Sequence, residues 1–196
     1  MKIHPRIGTE RLILRPYVAD DAAALAREGG ATVIADTMLD WPHPFSPANA
    51  RSTIAAQAAS YQAGRAVNFA VERRDRRGLV GGVELSDLDD RHRRCELRFW
   101  IAHPEWGQGL ATEAASAALR VAFAELGLHR VDAIHLVRCE RAPAVLRAIG
   151  MRQEGVLRER VRMAGSWEDV ALWAALAGEV GDAAGTSAPA LTSASP

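Results

Sequence analysis

Two glycines in residues 104–114, PEWGQGLATEA, have the spacing of an anion-binding turn. Gly107 and Gly109 follow a predicted strand and precede a predicted helix. Glycine has no side chain to block a ligand that approaches the backbone closely. The first amides of a helix have no partner within the helix and attract phosphate groups. Thr112 adds a hydroxyl group in the first helical turn. The segment therefore predicts a site for a phosphate or a diphosphate.

Other phosphate-binding turns fit this segment less well. A dinucleotide-binding turn favours Gly or Ala at position 112 and a repeated βαβ context, whereas this chain has Thr112 after predicted antiparallel strands. A P-loop needs a Lys-Ser/Thr pair, which residues 104–114 lack. On the residues alone, a tight strand-to-helix turn without a ligand remains an alternative.

The elements that position this turn follow from hydrophobic periodicity and from Gly, Pro and charged breakers. We predict strands at 11–15, 67–72, 78–85, 95–102, 131–137, 153–163 and 167–176, and helices at 20–28, 46–64, 110–126 and 143–149. Two runs rich in Arg and Asp, at 73–77 and 87–94, are interpreted as solvated hairpin turns. The order predicts a mixed α/β fold with a mostly antiparallel central sheet, flanking helices and one parallel step across the helix at 110–126.

Length and composition limit the class of protein. The 196 residues fit one domain, which we place at residues 1–177, followed by a disordered tail at 178–196 rich in Ala, Ser, Gly and Pro. The formal net charge is 0, which disfavours nucleic-acid binding by bulk electrostatics. Neither a membrane span nor a signal peptide is evident, and no His/Cys cluster has metal-ligand spacing. We therefore expect a cytoplasmic protein that binds neither a membrane nor a metal.

The glycine turn resembles the acetyl-CoA diphosphate loop of the GNAT superfamily of N-acetyltransferases, whose pattern is Q/R-x-x-G-x-G/A. Gly109 and Ala111 match the pattern, and Trp106 stands where Gln or Arg is usual. That variant is typical of the branch resembling ribosomal-protein N-terminal alanine and serine acetyltransferases. Further segments resemble this branch in the same order: TERLILRP at 9–16, ELRFWIAHP at 96–104, RAIGM at 147–151 and WEDVALWAAL at 167–176. The resemblance covers about residues 9–176 and implies the GNAT fold, with a splayed pair of parallel strands.

The resemblance implies that acetyl-CoA is the co-substrate and lies between the splayed strands, at 96–102 and 131–139. Its pantetheine arm would pair with the free edge of the first strand at Phe99, Trp100 and Ile101. A backbone amide of that strand would also stabilise the oxyanion of the reaction. The diphosphate would lie on the amides of the turn and of the first helical residues. These residues are Gly107, Gln108, Gly109, Leu110, Ala111 and Thr112.

The implied reaction is direct transfer of acetyl to a primary amine, either a protein N-terminus or a small molecule. The amine must lose a proton before it attacks, so a carboxylate acting through water is the expected base. Glu96 and Glu84 are the candidates, and a merely solvated or salt-bridged strand carboxylate is the alternative for each. A non-catalytic acyl-CoA-binding or regulatory module is the alternative function. A homodimer is one option for the assembly.

Residues 139–142 depart from the family, which often has Asn-x-x-Ser at this position. Cys139 replaces the Asn and Ala142 replaces the Ser, so the serine hydroxyl is missing. We predict that Cys139 contacts the cofactor, and it is a candidate proton donor to the departing thiolate. A small buried hydrophobic residue is the alternative. Some other family members use a tyrosine to protonate the departing thiolate. The tyrosines of this chain, Tyr17 and Tyr61, both precede the catalytic strands, so neither is an obvious general acid.

Two further features have both a structural and a functional interpretation. His135 lies in the middle of a predicted strand, and we interpret it as a core histidine with satisfied hydrogen bonds rather than as a base. Trp41, His43 and Phe45 lie in a proline-rich loop that borders the acceptor pocket in this fold. A rigid loop with core aromatic residues is the alternative for these three.

Overall fold

The structure, a computed structural model, describes residues 6–39, 41 and 44–179. Its strands are β1 Ile7–Gly8, β2 Leu12–Arg15, β3 Val67–Arg73, β4 Leu79–Asp89, β5 Arg94–Ile101, β6 Arg130–Leu136, β7 Arg152–Met163 and β8 Ser166–Leu176. Its helices are α1 Asp21–Ala24, α2 Thr32–Ala35, α3 Pro47–Gln62, α4 Leu110–Arg120 and α5 Ala142–Ala148. A π-helical turn extends α1 over Leu25–Gly29 and α4 over Val121–Glu125, and a 3₁₀ turn covers His103–Glu105.

All eight strands of the described residues form one sheet, in the order β1-β2-β3-β4-β5-β6-β8-β7. The neighbours are antiparallel, except that β5 and β6 are parallel and are connected through α4. Within the described residues, β5 and β6 pair at three positions, the last of which is Glu96 opposite Asp132. The predicted fold class, with its splayed parallel pair, is confirmed.

The two faces of the sheet pack against different helices. On one face, α4 buries four alanines and two leucines, and the small alanine side chains let the helix lie close to the strands. On the other face, Trp100 of β5 packs with Leu25 after α1 and with Ala50 and Ile54 of α3. The sheet is therefore covered on both sides, and the open edge of β5 is left for a ligand.

Local sequence signals account for the helix starts. Ser46 caps α3 by accepting the N–H of Asn49 at 3.2 Å, while the Asn49 side chain accepts the N–H of Ser46 at 2.9 Å. Ser46 and Asn49 thus form a capping box. At α1, Asp20 precedes the helix but makes no side-chain capping bond; the Asp21 carboxylate accepts from the N–H of Val18 instead.

Three elements differ from the sequence expectation. The short elements β1 and α2 were not predicted, because four residues or fewer carry little periodicity. The hairpin between β4 and β5 is shorter than predicted, since β4 continues to Asp89. The Asp89 carboxylate accepts from the backbone N–H of His92 at 2.9 Å, and this bond closes the turn.

The hairpin of β7 and β8 ends the sheet at one edge. Between Leu157 and Val161, β7 bulges away from β8. The bulge contains Glu159, whose φ is 50°, and its N–H donates to the Asp169 carboxylate of β8 at 2.7 Å. The outermost strand is therefore interrupted near its middle.

Most of the predicted tail, residues 180–196, lies outside the described residues. Glu179, the second residue of the predicted tail, forms an ion pair with Arg152 of β7 at 3.0 Å. The disordered tail and the domain limits therefore stay predictions. Among the described residues, none of the helices is long and apolar enough to span a membrane.

Candidate active site

A cavity of about 730 Å³ opens where β5 and β6 separate. Beyond the last parallel pair, side chains from both strands line it, among them Phe99 of β5 and Ile134 of β6. Residues at the starts of α4 and α5 line the end on one face of the sheet, and residues of α2 and α3 line the end on the other face. The splayed pair thus creates one continuous space between the glycine turn and the opposite face of the sheet.

The glycine turn at the start of α4 has the geometry of an anion site. Gly107 and Gly109 have φ values of 75° and 74°, a region that other residues rarely adopt. Gly109 is the N-cap of α4, and the first helical bond runs from the N–H of Glu113 to its carbonyl. The amides of residues 110–112 therefore lack helical partners. A Cβ built on Gly107 meets no atom within 4 Å, so there is open space above the turn.

A hydrogen-bonded cluster of Thr9, Arg11 and Glu113 fixes the backbone of this turn. The Arg11 guanidinium donates to Glu113 Oε2 and to the carbonyl of Gln108, both at 2.7 Å. Thr9 Oγ1 donates to Glu113 Oε1 at 2.6 Å. Burial alone would raise the pKa of Glu113, but the hydrogen bonds from Thr9 and Arg11 outweigh it and hold the pKa below its ordinary value. The turn is thereby fixed before any ligand binds.

A second cluster fixes the chain just before the turn. Glu105 is buried, with 5% of its side chain exposed, and its carboxylate pairs with Arg73 at 3.0 Å and with Arg76. Arg73 also donates to the side-chain oxygen of Gln108 at 2.9 Å. The Gln108 side chain therefore points away from the cavity, and its backbone is what remains for a ligand. The sequence interpretation of 73–77 as a purely solvated turn is wrong for Arg73.

The free edge of β5 offers backbone groups to the cavity. The N–H of Ala102 donates to Val80 of β4 at 2.8 Å, and successive residues of a strand direct their backbone groups to alternate sides. The backbone N–H and C=O groups of Phe99 and Ile101 therefore point away from β4 and toward the cavity. Those of Trp100 point toward β4. The carbonyl of Ile101 already accepts from Trp106 Nε1 at 2.7 Å.

Two carboxylates lie in the cavity on the face opposite α4. Glu84 of β4 is opposite Arg98 of β5, and Glu96 of β5 accepts from Arg98 Nε at 2.7 Å. Both candidate bases are therefore in one cavity with the glycine turn, and both lie beside the same arginine. An amine brought to this end would meet acidic oxygen atoms.

Comparison with known proteins decides the family. The profile of the Acetyltransferase (GNAT) domain family matches residues 11–152. The chain belongs to the GNAT acetyltransferases. It is 33% identical over 158 residues to YoaA of Bacillus subtilis, an N-acetyltransferase, with 79% of this chain and 87% of that one covered. It is 33% identical over 90 residues to the spermidine N(1)-acetyltransferase of Escherichia coli K12, with 46% and 48% covered.

Solved structures agree with this assignment. RimJ of Mycobacterium smegmatis, in complex with CoA-disulfide, superposes with a TM-score of 0.79 at 27% identity, covering 87% of this chain and 84% of that one. The chain is also 34% identical over 98 residues to YdaF of Bacillus subtilis, which is named as a ribosomal N-acetyltransferase, with 50% of this chain and 54% of that one covered, so the predicted resemblance to the ribosomal-protein branch is confirmed. GNAT acetyltransferases use acetyl-CoA, and the open turn and the free β5 edge of this chain fit that co-substrate.

The two cysteines of this GNAT acetyltransferase have different surroundings. Cys139 follows β6, is partly exposed and lines the cavity, and its N–H donates to Leu136 at 2.8 Å. Cys95 is a buried residue of β5, where burial and the neighbouring carboxylates of Asp132 and Glu96 raise the pKa of its thiol to about 12. Only Cys139 of the two is placed to meet a ligand.

His135 has both ring nitrogens engaged. Trp173 Nε1 donates to His135 Nε2 at 3.0 Å, so Nε2 acts as acceptor, and Nδ1 carries the proton that it donates to the carbonyl of Leu136 at 2.8 Å. The interpretation of His135 as a satisfied histidine is consistent with this geometry, although its side chain borders the cavity.

The aromatic loop before α3 reaches the cavity through Trp41. Trp41 lines the cavity and stacks on Phe45 with centroids 4.4 Å apart, while Phe45 is buried. Trp41 also meets the edge of Trp100 at 5.7 Å. The third residue of the prediction, His43, lies outside the described residues. The described part of the chain holds no group of three or more His, Cys, Asp or Glu that could bind a metal ion.

Proposed function

We propose that this GNAT acetyltransferase transfers acetyl from acetyl-CoA directly to a primary amine. The observation that carries the proposal is the single cavity that connects the glycine turn of α4 with the carboxylates of Glu84 and Glu96. An anionic co-substrate and a cationic acceptor could enter from opposite ends and meet between the splayed strands. The family and the relatives' names support acetyl transfer to nitrogen.

The co-substrate is assigned to the α4 end. The amides of residues 108–112 would bind its diphosphate, and an amide chain laid along β5 would reach the free backbone groups of Phe99 and the N–H of Ile101. The backbone carbonyl of Ile101 is used by Trp106, which leaves Phe99 as the main pairing residue. Cys139, after β6, forms the opposite wall of the cavity.

The chemistry follows from these positions. The amine loses a proton through water to Glu96 or Glu84, and its nitrogen then forms a bond to the thioester carbonyl carbon. The nitrogen of the adduct then releases its second proton to water, the C–S bond breaks as the amide forms, and the thiolate leaves as coenzyme A after taking a proton from solvent or from Cys139. A backbone N–H at the β5 edge stabilises the negative charge on the carbonyl oxygen.

The acceptor enters through the α2 and α3 end. One side of this end is apolar, formed by Val33, Met38 and Trp41, and the other side carries polar groups of α3 such as Gln57. An acceptor with one reactive amine beside an apolar group fits this surface, which suits a protein N-terminus or a small organic amine. The spermidine acetyltransferase relative supports the small-molecule option.

The test is a panel of N-terminal peptides, polyamines and amino acids incubated with the full chain and acetyl-CoA. Mass spectrometry should show a gain of one acetyl group on one class, with release of one free thiol per product. If the chain binds CoA but releases no thiol with any amine, the non-catalytic acyl-CoA-binding module is the correct function instead.

A further inference from the structure

Arg141 lines the same cavity as the glycine turn and contacts Trp106, the residue directly before the turn. Arg141 is the residue just before α5, and its Cζ lies 4.6 Å from the centre of the Trp106 ring, over the ring face. Both side chains line the cavity. The pair therefore connects the two arms of the splayed sheet, with Trp106 on the β5 side and Arg141 on the β6 side.

The Trp106 ring is held in place independently of Arg141. Its Nε1 donates to the carbonyl of Ile101 at 2.7 Å, and the His103 ring packs edge-on against it with centroids 4.8 Å apart. An arginine over a fixed indole face loses little further freedom when it binds a ligand. Trp106 thus acts as a platform that orients the guanidinium.

The guanidinium has no acidic partner within the described residues. The other arginine that lines the cavity, Arg98, donates to Glu96 at 2.7 Å. The Arg141 side chain is more than one-third exposed and packs on the ring of Trp106. A cation–π contact at an exposed site is weak, on the order of 1 kcal/mol, and satisfies none of the five N–H donors. These donors remain available to an anion in the cavity.

We propose that Arg141 binds the diphosphate of acetyl-CoA, with Trp106 as the platform that orients it. Trp106 directly precedes Gly107, so a guanidinium on its ring lies beside the turn whose amides face the same anion. A planar fork of N–H donors matches phosphate oxygens better than an ammonium does. The inference rests on acetyl-CoA binding in this cavity and adds a side-chain contact from the β6 arm.

The experiment measures binding rather than turnover. Affinities of CoA, dephospho-CoA and pantetheine are determined for the full chain and for Arg141→Ala and Arg141→Lys, with pantetheine measured by competition. Dephospho-CoA keeps the diphosphate and pantetheine lacks it. Arg141→Ala should weaken CoA and dephospho-CoA about 10- to 100-fold, the usual value of a charged hydrogen bond, and leave pantetheine within about twofold. The CoA affinity of Arg141→Lys should lie between those of the unaltered chain and of Arg141→Ala.

A matched control comes from α5, the helix that Arg141 precedes. Arg147 of α5 lies over the ring of Trp173 at 5.4 Å, but it is not part of the cavity wall. Arg147→Ala removes the same kind of contact and should leave CoA affinity unchanged. Melting curves of both variants show whether each still folds.

The outcomes separate this inference from the function. If the unaltered chain does not bind CoA, the co-substrate assignment fails. If the unaltered chain binds CoA and both Arg141 variants bind it equally well, the Arg141 contact is refuted. If Arg141→Ala weakens pantetheine as much as CoA, Arg141 only shapes the cavity wall. If it weakens CoA but not dephospho-CoA, Arg141 contacts the 3′-phosphate and not the diphosphate. Either result overturns the proposal.

Discussion

Placing a single negative charge at Gly109 should abolish tight CoA binding while the domain stays folded. The change is Gly109→Asp, compared with Gly109→Asn, which has the same shape without the charge. Both residues tolerate a φ near 74° better than other side chains do, and both are good helix N-caps. Both variants therefore carry the same backbone strain, about 1 kcal/mol, and the difference in their CoA affinities reports the effect of the charge alone.

The size of the effect follows from the geometry. Two unit charges 4 Å apart near a protein surface interact by about 4 kcal/mol. The Cβ of residue 109 would lie 3.5 Å from Arg11 Nη2, so Arg11 would cancel part of the new charge. We therefore expect about 2–4 kcal/mol between the two variants, or roughly 30- to 1,000-fold in CoA affinity.

Isothermal titration of CoA into each variant, with a melting curve for each, measures this difference. The Asn variant should bind more weakly than the parent chain, and the Asp variant should bind far more weakly still, with melting temperatures within a few degrees of each other. Equal CoA affinities for two folded variants would show that no phosphate lies on this turn.

Three further predictions concern single side chains. Glu96→Gln should slow acetyl transfer more at low pH than at high pH, because a base matters most while the amine is protonated; an unchanged pH–rate profile would exclude Glu96. Iodoacetamide should label Cys139, with protection by a non-reactive acetyl-CoA analogue, and should spare Cys95, whose pKa is raised to about 12. Equal labelling of Cys139 with and without the analogue would place it outside the site. Glu113→Gln should destabilise the fold by about 1–3 kcal/mol at neutral pH. Because the folded pKa of Glu113 is lowered, this stabilisation is present above about pH 4.5 and is lost as the pH falls through the folded pKa, so denaturant midpoints should converge in acid.

The sequence predicted the elements that repeat a pattern and missed contacts between distant residues. The strands β2 to β8 and the helix α4 have clear periodicity and turn residues at their ends, so their positions were correct within a few residues. The arginine-rich run at 73–77 shows where prediction from local sequence fails. Its composition is typical of a solvated turn, yet the Arg73 side chain donates to Glu105, which is 32 residues away. No local rule pairs one arginine with one acid over that distance.

The site was predicted in part for the same reason. The glycine turn is contained in one short segment, so spacing alone identified it. The backbone direction of Trp100 depends on the register between β4 and β5, which the bond from Ala102 to Val80 sets. The contact between Arg141 and Trp106 also depends on packing, since α5 and the turn meet only in the folded chain. The catalytic roles of Glu84, Glu96 and Cys139 stay predictions.

The interruption in β7 has a consequence for association between copies of the chain. An unbroken outer strand offers a regular row of N–H and C=O groups, on which a second chain can extend the sheet. In β7, the bulge around Glu159 breaks that row, and arginines at 158, 160 and 162 place like charges along it. Two such edges brought together would meet mismatched spacing and repulsion. The interrupted β7 edge therefore disfavours a dimer that continues the sheet through this strand.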